Sequence, residues 1–444
     1  MRRWAPCAVL WAAGTMLGFQ SEGLPSQAPD LLDRIKARMK ENLGRVPDYI
    51  CLQTIERVGK ESASEPLKPV DTLRLEVGFA GNKEIFAWRG SSKFEEKELA
   101  DMIGAGTVGT GSFAIHATNV FLSSAPNYTY KGEEDLGGRR AHRFDYEVPE
   151  GQSRYKLRVP PYQAYVAFRG SFWVDADTLD VIRMEVHAQD IPTELQLARA
   201  SDVMEYGRIS IGEAEFLLPI SSELTIVGVH GNEDRNRRRL SDCRQYGASS
   251  TIAFEESSGS QRGAGKETAR IELPPRLLMD LSLASEIDLS QAAVGDPIRA
   301  VLSRPLKDGE RVVLPEGTTV SGRLVRIQRS DLPVDHYVVG IHLDTLEIDG
   351  ASTGFSATME DAGPANGLIR QAKRLDPSFD RRRRSPRLDI LVREHQRGQG
   401  ILHWEAKRTR IPRGLRMRWQ TESAAADEDA AHSDARSESP DRPR

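Results

Sequence analysis

The sequence predicts a mainly β protein with a few helices, an α+β chain built in two β-rich parts. Three observations carry this. From Arg140 to Ala188 apolar and polar residues alternate with period two: Phe144, Tyr146 and Val148 oppose Arg143, Asp145 and Glu147, and Tyr155, Leu157 and Val159 oppose Lys156 and Arg158. Ile182, Met184 and Val186 then oppose Arg183 and Glu185, which is the pattern of antiparallel strands with one packed and one wet face. From Ala269 onward short apolar runs recur between turn signals, as in a small barrel or sandwich. Finally, 444 residues exceed one ordinary core, and Ser257 to Lys266 (SSGSQRGAGK) has the composition of a flexible linker.

The expected organisation is a signal peptide over 1–28, a first domain over 29–256, a linker over 257–267, a second domain over 268–420 and a disordered tail over 421–444. Arg2 and Arg3 precede an apolar run from Ala8 to Phe19, too short to span a bilayer, with a small-residue exit at Ser26 to Ala28. Export follows, to a periplasmic or outer-envelope location, and Cys7 lies ahead of the apolar run, where no lipid anchor attaches. Apolar content of 39% and charged content of 28% suit a soluble globular chain. The net charge of −4 conceals an asymmetry: Asn366 to Arg418 holds 16 Lys and Arg against 5 Asp and Glu.

In chain order, Leu31, Leu32, Ile35, Met39 and Leu43 fall at helical spacing before Gly44 and Pro47. Tyr49 to Val58 reads as a strand. Leu73, Leu75, Val77 and Phe79 alternate with polar neighbours, and Gly81-Asn82 turns the chain into Glu84 to Trp88 as a hairpin. Leu99, Met102 and Ile103 suggest a helix; Phe113, Ile115, Val120, Phe121 and Leu122 suggest a second. The glycine-rich GAGTVGTGS between them has neither the Lys-Ser/Thr nor the leading strand of a phosphate loop, and reads as a hinge or lid. Strands are expected at Asp202 to Ile211, Phe216 to Val229 and Leu240 to Phe254. In the second part they are expected at Ile271 to Leu273, Ile298 to Leu302, Val312 to Leu314, Val320 to Ile327, Val338 to Ile348, Ile401 to Trp404 and Leu415 to Trp419. Residues 360–386 read as a long basic loop.

Two phrases in the first part, Gly138-Arg139-Arg140-Ala141-His142-Arg143-Phe144 and Gly170-Ser171-Phe172-Trp173-Val174-Asp175, sit in the order helix, two or three strands, helical insert, run of strands. In this residues 31–256 resemble the LolA/LolB-like periplasmic lipoprotein carriers. The resemblance implies a curved antiparallel half-barrel over helices, with an apolar concave face that holds acyl chains. Residues 285–330 faintly resemble the β-barrel of TrbI-type envelope scaffolds through Val294-Gly295-Asp296-Pro297-Ile298, Leu314-Pro315-Glu316-Gly317-Thr318 and Val320-Ser321-Gly322-Arg323-Leu324-Val325. The membrane-spanning arm of those scaffolds has no counterpart in this sequence.

Leu73, Leu75, Val77, Phe86, Trp88, Phe144, Tyr146, Phe172 and Met184 are the candidate cavity residues, and most positions of this kind must fill a core because a sheet needs a packed face. Cys51 and Cys243 each fall on an expected strand and are either bonded, closing a loop of about 190 residues, or two separate buried thiols. Asp175 and Asp177 share a strand face as a carboxylate pair would, but Asp-Ala-Asp-Thr between apolar runs is ordinary turn chemistry. HExxH, GxSxG and cysteine-cluster spacings do not occur, and the pairs His336/His342 and His395/His403 read as surface or packed histidines. Arg381, Arg382, Arg383 and Arg384 read as a solvated loop, or as a contact with an anionic envelope surface rather than nucleic acid. The expected function is non-enzymatic binding of a hydrophobic ligand or lipoprotein acyl group, with an envelope protein partner and no cofactor. The alternative is a structural module of an envelope assembly without a ligand cavity.

Overall fold

The computed structural model describes residues 27–80, 83–91, 94, 99–103, 116–246, 273–330, 335–348, 351–362 and 398–422. Nearly all of the expected signal peptide, the Gly81-Asn82 turn, the glycine-rich stretch, the linker, the Arg381 to Arg384 run, His395 and the tail beyond residue 422 lie outside the described residues.

Helix α1 (Gln27–Arg45) carries its apolar residues on one stripe, with Asp30 in its first turn complementing the helix dipole. Ile35 and Met39 on that stripe are fully buried. Twelve strands follow: β1 (Tyr49–Lys60), β2 (Lys68–Ala80), β3 (Lys83–Trp88), β4 (Asn127–Asp135), β5 (Arg140–Val148), β6 (Lys156–Val159), β7 (Tyr162–Tyr165), β8 (Phe168–Asp175), β9 (Val181–Ala188), β10 (Leu197–Ile211), β11 (Ala214–Gly228) and β12 (Glu233–Gln245). A short helix α2 (Leu99–Met102) and a π-helical turn (Thr118–Leu122) stand between β3 and β4. Ten strands form one antiparallel sheet in the order β3-β2-β1-β12-β11-β10-β9-β8-β5-β4, while β6 and β7 pair as a separate hairpin. The large sheet is a curled half-barrel with β3 and β4 as its edges. Its β1–β12 seam joins the start of the sheet to its end, and there the Cys51–Cys243 disulfide forms, settling the bonded alternative.

Two expectations are corrected. The register shifts between Trp173 and Val174 where β8 meets β9, so Val181 rather than Ile182 pairs inward, and Ile182 packs with Ala141 and Trp173 on the other face. The last strand begins at Glu233 rather than Leu240, because EDRNRRR pairs fully with β1 and β11 despite its charge. The Asp175–Asp180 segment is the expected turn: Asp175 accepts hydrogen bonds from the Asp177 and Thr178 amides (both 3.0 Å), and burial is outweighed by these contacts and Arg139, holding its pKa down at about 2.

The second part contains β13 (Leu278–Leu283), β14 (Ile287–Asp288), β15 (Pro297–Leu302), β16 (Leu306–Asp308), β17 (Arg311–Leu314), β18 (Thr319–Ser330), β19 (His336–Ile348), β20 (Ala351–Gly354), β21 (Ala357–Ala362), β22 (Gly400–Glu405), β23 (Arg410–Ile411) and β24 (Arg416–Thr421). Its sheet runs β20-β19-β18-β15-β13-β24-β21, with β22 also on β19. The Met359 amide donates to the Gln399 carbonyl (3.2 Å), bringing the two ends of that sheet together around Trp419, Met279 and Leu281. β13 was not expected, Leu273 is not in a strand, and residues 360–362 belong to β21 rather than to a loop.

The two sheets meet at β2. β3 pairs only with Leu75 to Ala80, leaving the start of β2 open on that side. Val294 fills it: the Arg74 amide donates to the Val294 carbonyl and the Val294 amide to the Thr72 carbonyl (both 2.7 Å). Arg74 Nη1 also donates to both carboxylate oxygens of Asp296 (2.8 and 2.6 Å). Gly295 between them has φ +95°, and a Cβ there would stand 2.3 Å from the Arg74 carbonyl oxygen, so the contact requires glycine.

Candidate functional site

The register lays one continuous row across the concave face of the large sheet. It runs Tyr130, Phe144, Phe172, Met184, Met204, Ser222, Arg238, Ile55 and Leu73, one residue from each of nine strands. Its chemistry changes twice: aromatic and sulfur-bearing from β4 to β10, polar on β11 and β12, aliphatic on β1 and β2.

The first stretch is filled. Phe144 and Phe172 stack at 5.3 Å and 9°, Phe121 from the π turn meets Phe172 edge-on at 4.9 Å, and Ile35 and Met39 of α1 join the same core. Tyr146 donates to the Glu185 carbonyl (2.7 Å) across Gly170, where a Cβ would overlap that oxygen. Asp180 receives Arg38 of α1 (3.3 Å) and Arg208 of β10, tying the helix to the sheet. Of the candidate cavity residues, Phe144, Tyr146, Phe172 and Met184 lie in this core.

Leu73, Leu75, Val77, Phe86 and Trp88 lie apart from them, toward the β3 edge. Leu73 and Leu75 pack with Leu99, Ile103 and Val294, with Phe86, Trp88 and Met102 partly buried around them, and Val77 packs beside the disulfide. The nine candidates thus share a face but form two separate apolar patches.

Between the patches lies a polar band that the sequence reading missed. Arg238 Nη2 donates to Asp202 Oδ2 (2.6 Å) across the intervening β11, and both side chains are 5% or less exposed. Asn236 and Arg57 continue the Asp202 register row, and Arg57 forks onto Asp71 (2.6 and 2.5 Å). Gln53, His116, Tyr155, Tyr206 and Ser222 are buried around the pair. His116 meets Tyr155 edge-on at 5.0 Å, and burial lowers its pKa to about 4. Burial raises the Tyr155 and Tyr206 hydroxyls, with Asp202 pushing both the same way. At the start of β3 burial lifts Glu84 to about 7 against the pull of Arg238. The only sequence signal for this band was EDRNRRRL itself, where Asn236 and Arg238 occupy inward positions of a period-two strand.

The wet face differs. A groove of about 460 Å³ there is lined by Glu56, Arg183, Glu205, Glu223, Arg237 and Arg239 among others. Arg183 is held by Glu185 and Glu205, and Arg237 by Glu223 (2.6 Å). Arg143 and Arg183 lie over Trp173, whose indole N–H donates to Glu134. These charges neutralise one another and suit a solvated sheet surface, not an acyl chain. In the second part the buried His336 and His403 rings stand 5.1 Å apart. Among the described residues no group of three or more His, Cys, Asp or Glu is arranged to hold a metal.

No family model matches the chain, and no curated protein matches it. Among solved structures it is similar to a DUF1329 family protein from Desulfovibrio piger, at 12% identity over 49% of this chain and 92% of that one, with a TM-score of 0.28. It is also similar to a LolA superfamily protein from Nitrosomonas europaea, at 9% identity over 49% and 94%, with a TM-score of 0.28. A third is the lipoprotein LppX of Mycobacterium tuberculosis, at 11% identity over 48% and 95%, with a TM-score of 0.19. Each of these similarities spans about half of this chain and nearly all of the other.

Proposed function

We propose that the concave face of the large sheet takes up a hydrophobic ligand or a lipoprotein acyl group, without catalysis, in an exported envelope protein. The observation that supports this is the piecemeal cover over that face. Ten strands at about 4.8 Å spacing span roughly 43 Å of arc, whereas α1 is 19 residues, about 28 Å long, and the other described cover is α2, one π turn, the β6–β7 hairpin, a 3-10 turn at Thr193–Leu195 and Val294. Such short elements can shift off an apolar sheet more easily than a second sheet could, and each CH₂ of a chain placed beneath them gains about 0.8 kcal/mol. Leu73, Leu75, Val77, Phe86 and Trp88 are the part of the face assigned to the acyl chain: Phe86 and Trp88 at its rim are only partly buried, and the fully buried Leu73 and Leu75 become available when α2 and Val294 move aside. The Cys51–Cys243 bond suits an oxidising compartment. Residues 29–256 are the binding unit in this reading, with 268–420 docking it to an envelope partner and Arg381 to Arg384 meeting an anionic surface.

The full chain, expressed in an oxidising compartment, goes into native mass spectrometry before and after organic extraction. Loss of a discrete lipid-sized mass is the expected result. A protein that is empty on isolation and also fails to take up a fluorescent fatty acid sinks the proposal. One observation favours the alternative of a structural module: Phe144, Phe172 and Met184 are at most 1% exposed and interlocked, so that half of the face is already full. Stoichiometric recovery of a partner by an empty protein is the result that reading expects.

A further inference from the structure

We infer that the polar band between the two apolar patches is a head-group site for a neutral lipid, an acyl chain ester-linked to an uncharged, hydroxyl-bearing polyol such as glycerol. This rests on the acyl-binding reading above and specifies which lipid it takes.

The inference starts from hydrogen bonds that are not made. Gln53 Oε1, His116 Nδ1, Tyr155 OH, Asp202 Oδ1, Tyr206 OH and Ser222 Oγ are all buried and have no hydrogen-bond partner. The residues that carry them are all more than nine-tenths buried. Buried polar atoms in folded proteins are nearly always paired, and orphans scattered singly are the usual exception. Here six converge. Asp202 and Tyr206 flank Met204 on the inward side of β10, Ser222 lies opposite Met204 and beside Arg238, and Gln53 stands two residues from Ile55, which pairs with Arg238. Tyr155 and His116 are close enough to feel both Asp202 and Arg238.

Charge decides the ligand class. Arg238 and Asp202 cancel each other, as do Arg57 and Asp71, His116 is neutral at pH 7, and Glu84, with its pKa lifted to about 7, adds only negative charge; the remaining groups are hydroxyls and amides. A carboxylate or phosphate placed here would be an unbalanced charge in a desolvated site, and a quaternary amine likewise. Hydroxyls and ester carbonyls suit what is offered: donors at Tyr155, Tyr206 and Ser222, acceptors at Gln53 and Asp202. The aliphatic patch of Leu73 and Leu75 begins one strand beyond Gln53 and Ile55, so a chain leaving the band runs directly onto it.

The test uses the full chain stripped of lipid, with 1-monooleoylglycerol, oleate and oleoyl lysophosphatidic acid as probes at pH 7.5. Monooleoylglycerol is expected to bind about tenfold or more tightly than either anion. Tyr206→Phe and Tyr155→Phe are each expected to shrink that preference about five- to tenfold, the loss of one hydrogen bond. Both variants remove an orphaned hydroxyl, so the melting temperature of the stripped protein stays level or rises. Should either fail to fold, Ser222→Ala carries the same expectation. Equal binding of all three probes, or a preference untouched by these substitutions because only internal water meets the hydroxyls, overturns the inference and leaves acyl binding standing. No binding of any probe overturns the acyl-binding reading itself.

Discussion

Two stretches of one concave face obey the same register and hold together by different physics. From Tyr130 to Met204 the row is held by contact: Phe144 on Phe172, Phe121 on Phe172, α1 above. Beside it, across β11, β12 and β1, the face is held by charges that must find partners: Arg238 on Asp202 and, in the neighbouring register row, Arg57 on Asp71. Strand periodicity decides which residues face inward, while the chemistry of those residues decides whether removing one leaves a void or an orphaned charge.

The largest effects separate the halves most cleanly. Phe172→Ala leaves a cavity among interlocked rings and is expected to cost about 3–5 kcal/mol in urea unfolding, with no neighbouring substitution restoring it. Arg238→Met is expected to cost about as much, because it strands Asp202 in the interior, yet Asp202→Leu added to it should recover most of the loss. A double variant as unstable as Arg238→Met alone would break the comparison, since Arg238 would then be held by packing like its aromatic counterparts.

The same contrast governs what the sequence disclosed. The contact-held half was legible: Phe144, Tyr146, Val148, Met184 and Val186 alternate with polar residues, and all five are buried. The alternation failed at Ile182 because a register shift between paired strands depends on the partner, and one strand's own pattern does not contain it. The charge-held half was illegible for a different reason. In EDRNRRRL both faces are polar, so no apolar signal marked Asn236 and Arg238 as inward, and the strand was placed seven residues late. His116, Tyr155 and Tyr206 come from three separate stretches of the sequence, and only the fold brings them to Asp202. Cys51 and Cys243 could be named but not joined, since their pairing depends on the β1–β12 seam closing across 192 residues. The second sheet's strands were mostly found through the Pro315-Glu316-Gly317 and Asp308-Gly309 turns, whereas its attachment to β2 through Val294 left no trace beyond the conformation that Gly295 supplies.

That attachment extends the comparison from within one sheet to the join between two. Gly295→Ala adds a methyl against the Arg74 carbonyl and the Trp88 ring at positive φ, and is expected to cost about 2–3 kcal/mol at the junction while leaving both cores intact. Hydrogen exchange should show the Arg74 and Val294 amides losing protection, with Phe172 and Trp419 unchanged. Uniform loss of protection throughout would mean that the two sheets unfold as one unit.

The smallest effect concerns protons, which only the polar half should notice. Glu84 has its pKa raised by burial, so the folded state binds its proton more tightly than the unfolded chain does. Its contribution is fully present below about pH 4.5 and is lost as pH rises through about 7. His116 runs the other way: burial lowers its pKa, and its contribution is present above about pH 6.5 and lost as pH falls toward 4. Between pH 4.5 and 6.5 the two slopes oppose, and the parent protein should change little there; above pH 6.5 the Glu84 slope acts alone. Glu84→Gln removes that slope, so the variant should gain about 1–2 kcal/mol on the parent between pH 5 and 8 and rise steadily from pH 4.5 to 6.5 on the His116 slope. Stability curves that stay parallel would show that Glu84 meets water in the folded state. The polar band would then be open at its β3 end, and an acyl chain would have an entry that passes the carboxylate rather than the rim at Phe86 and Trp88.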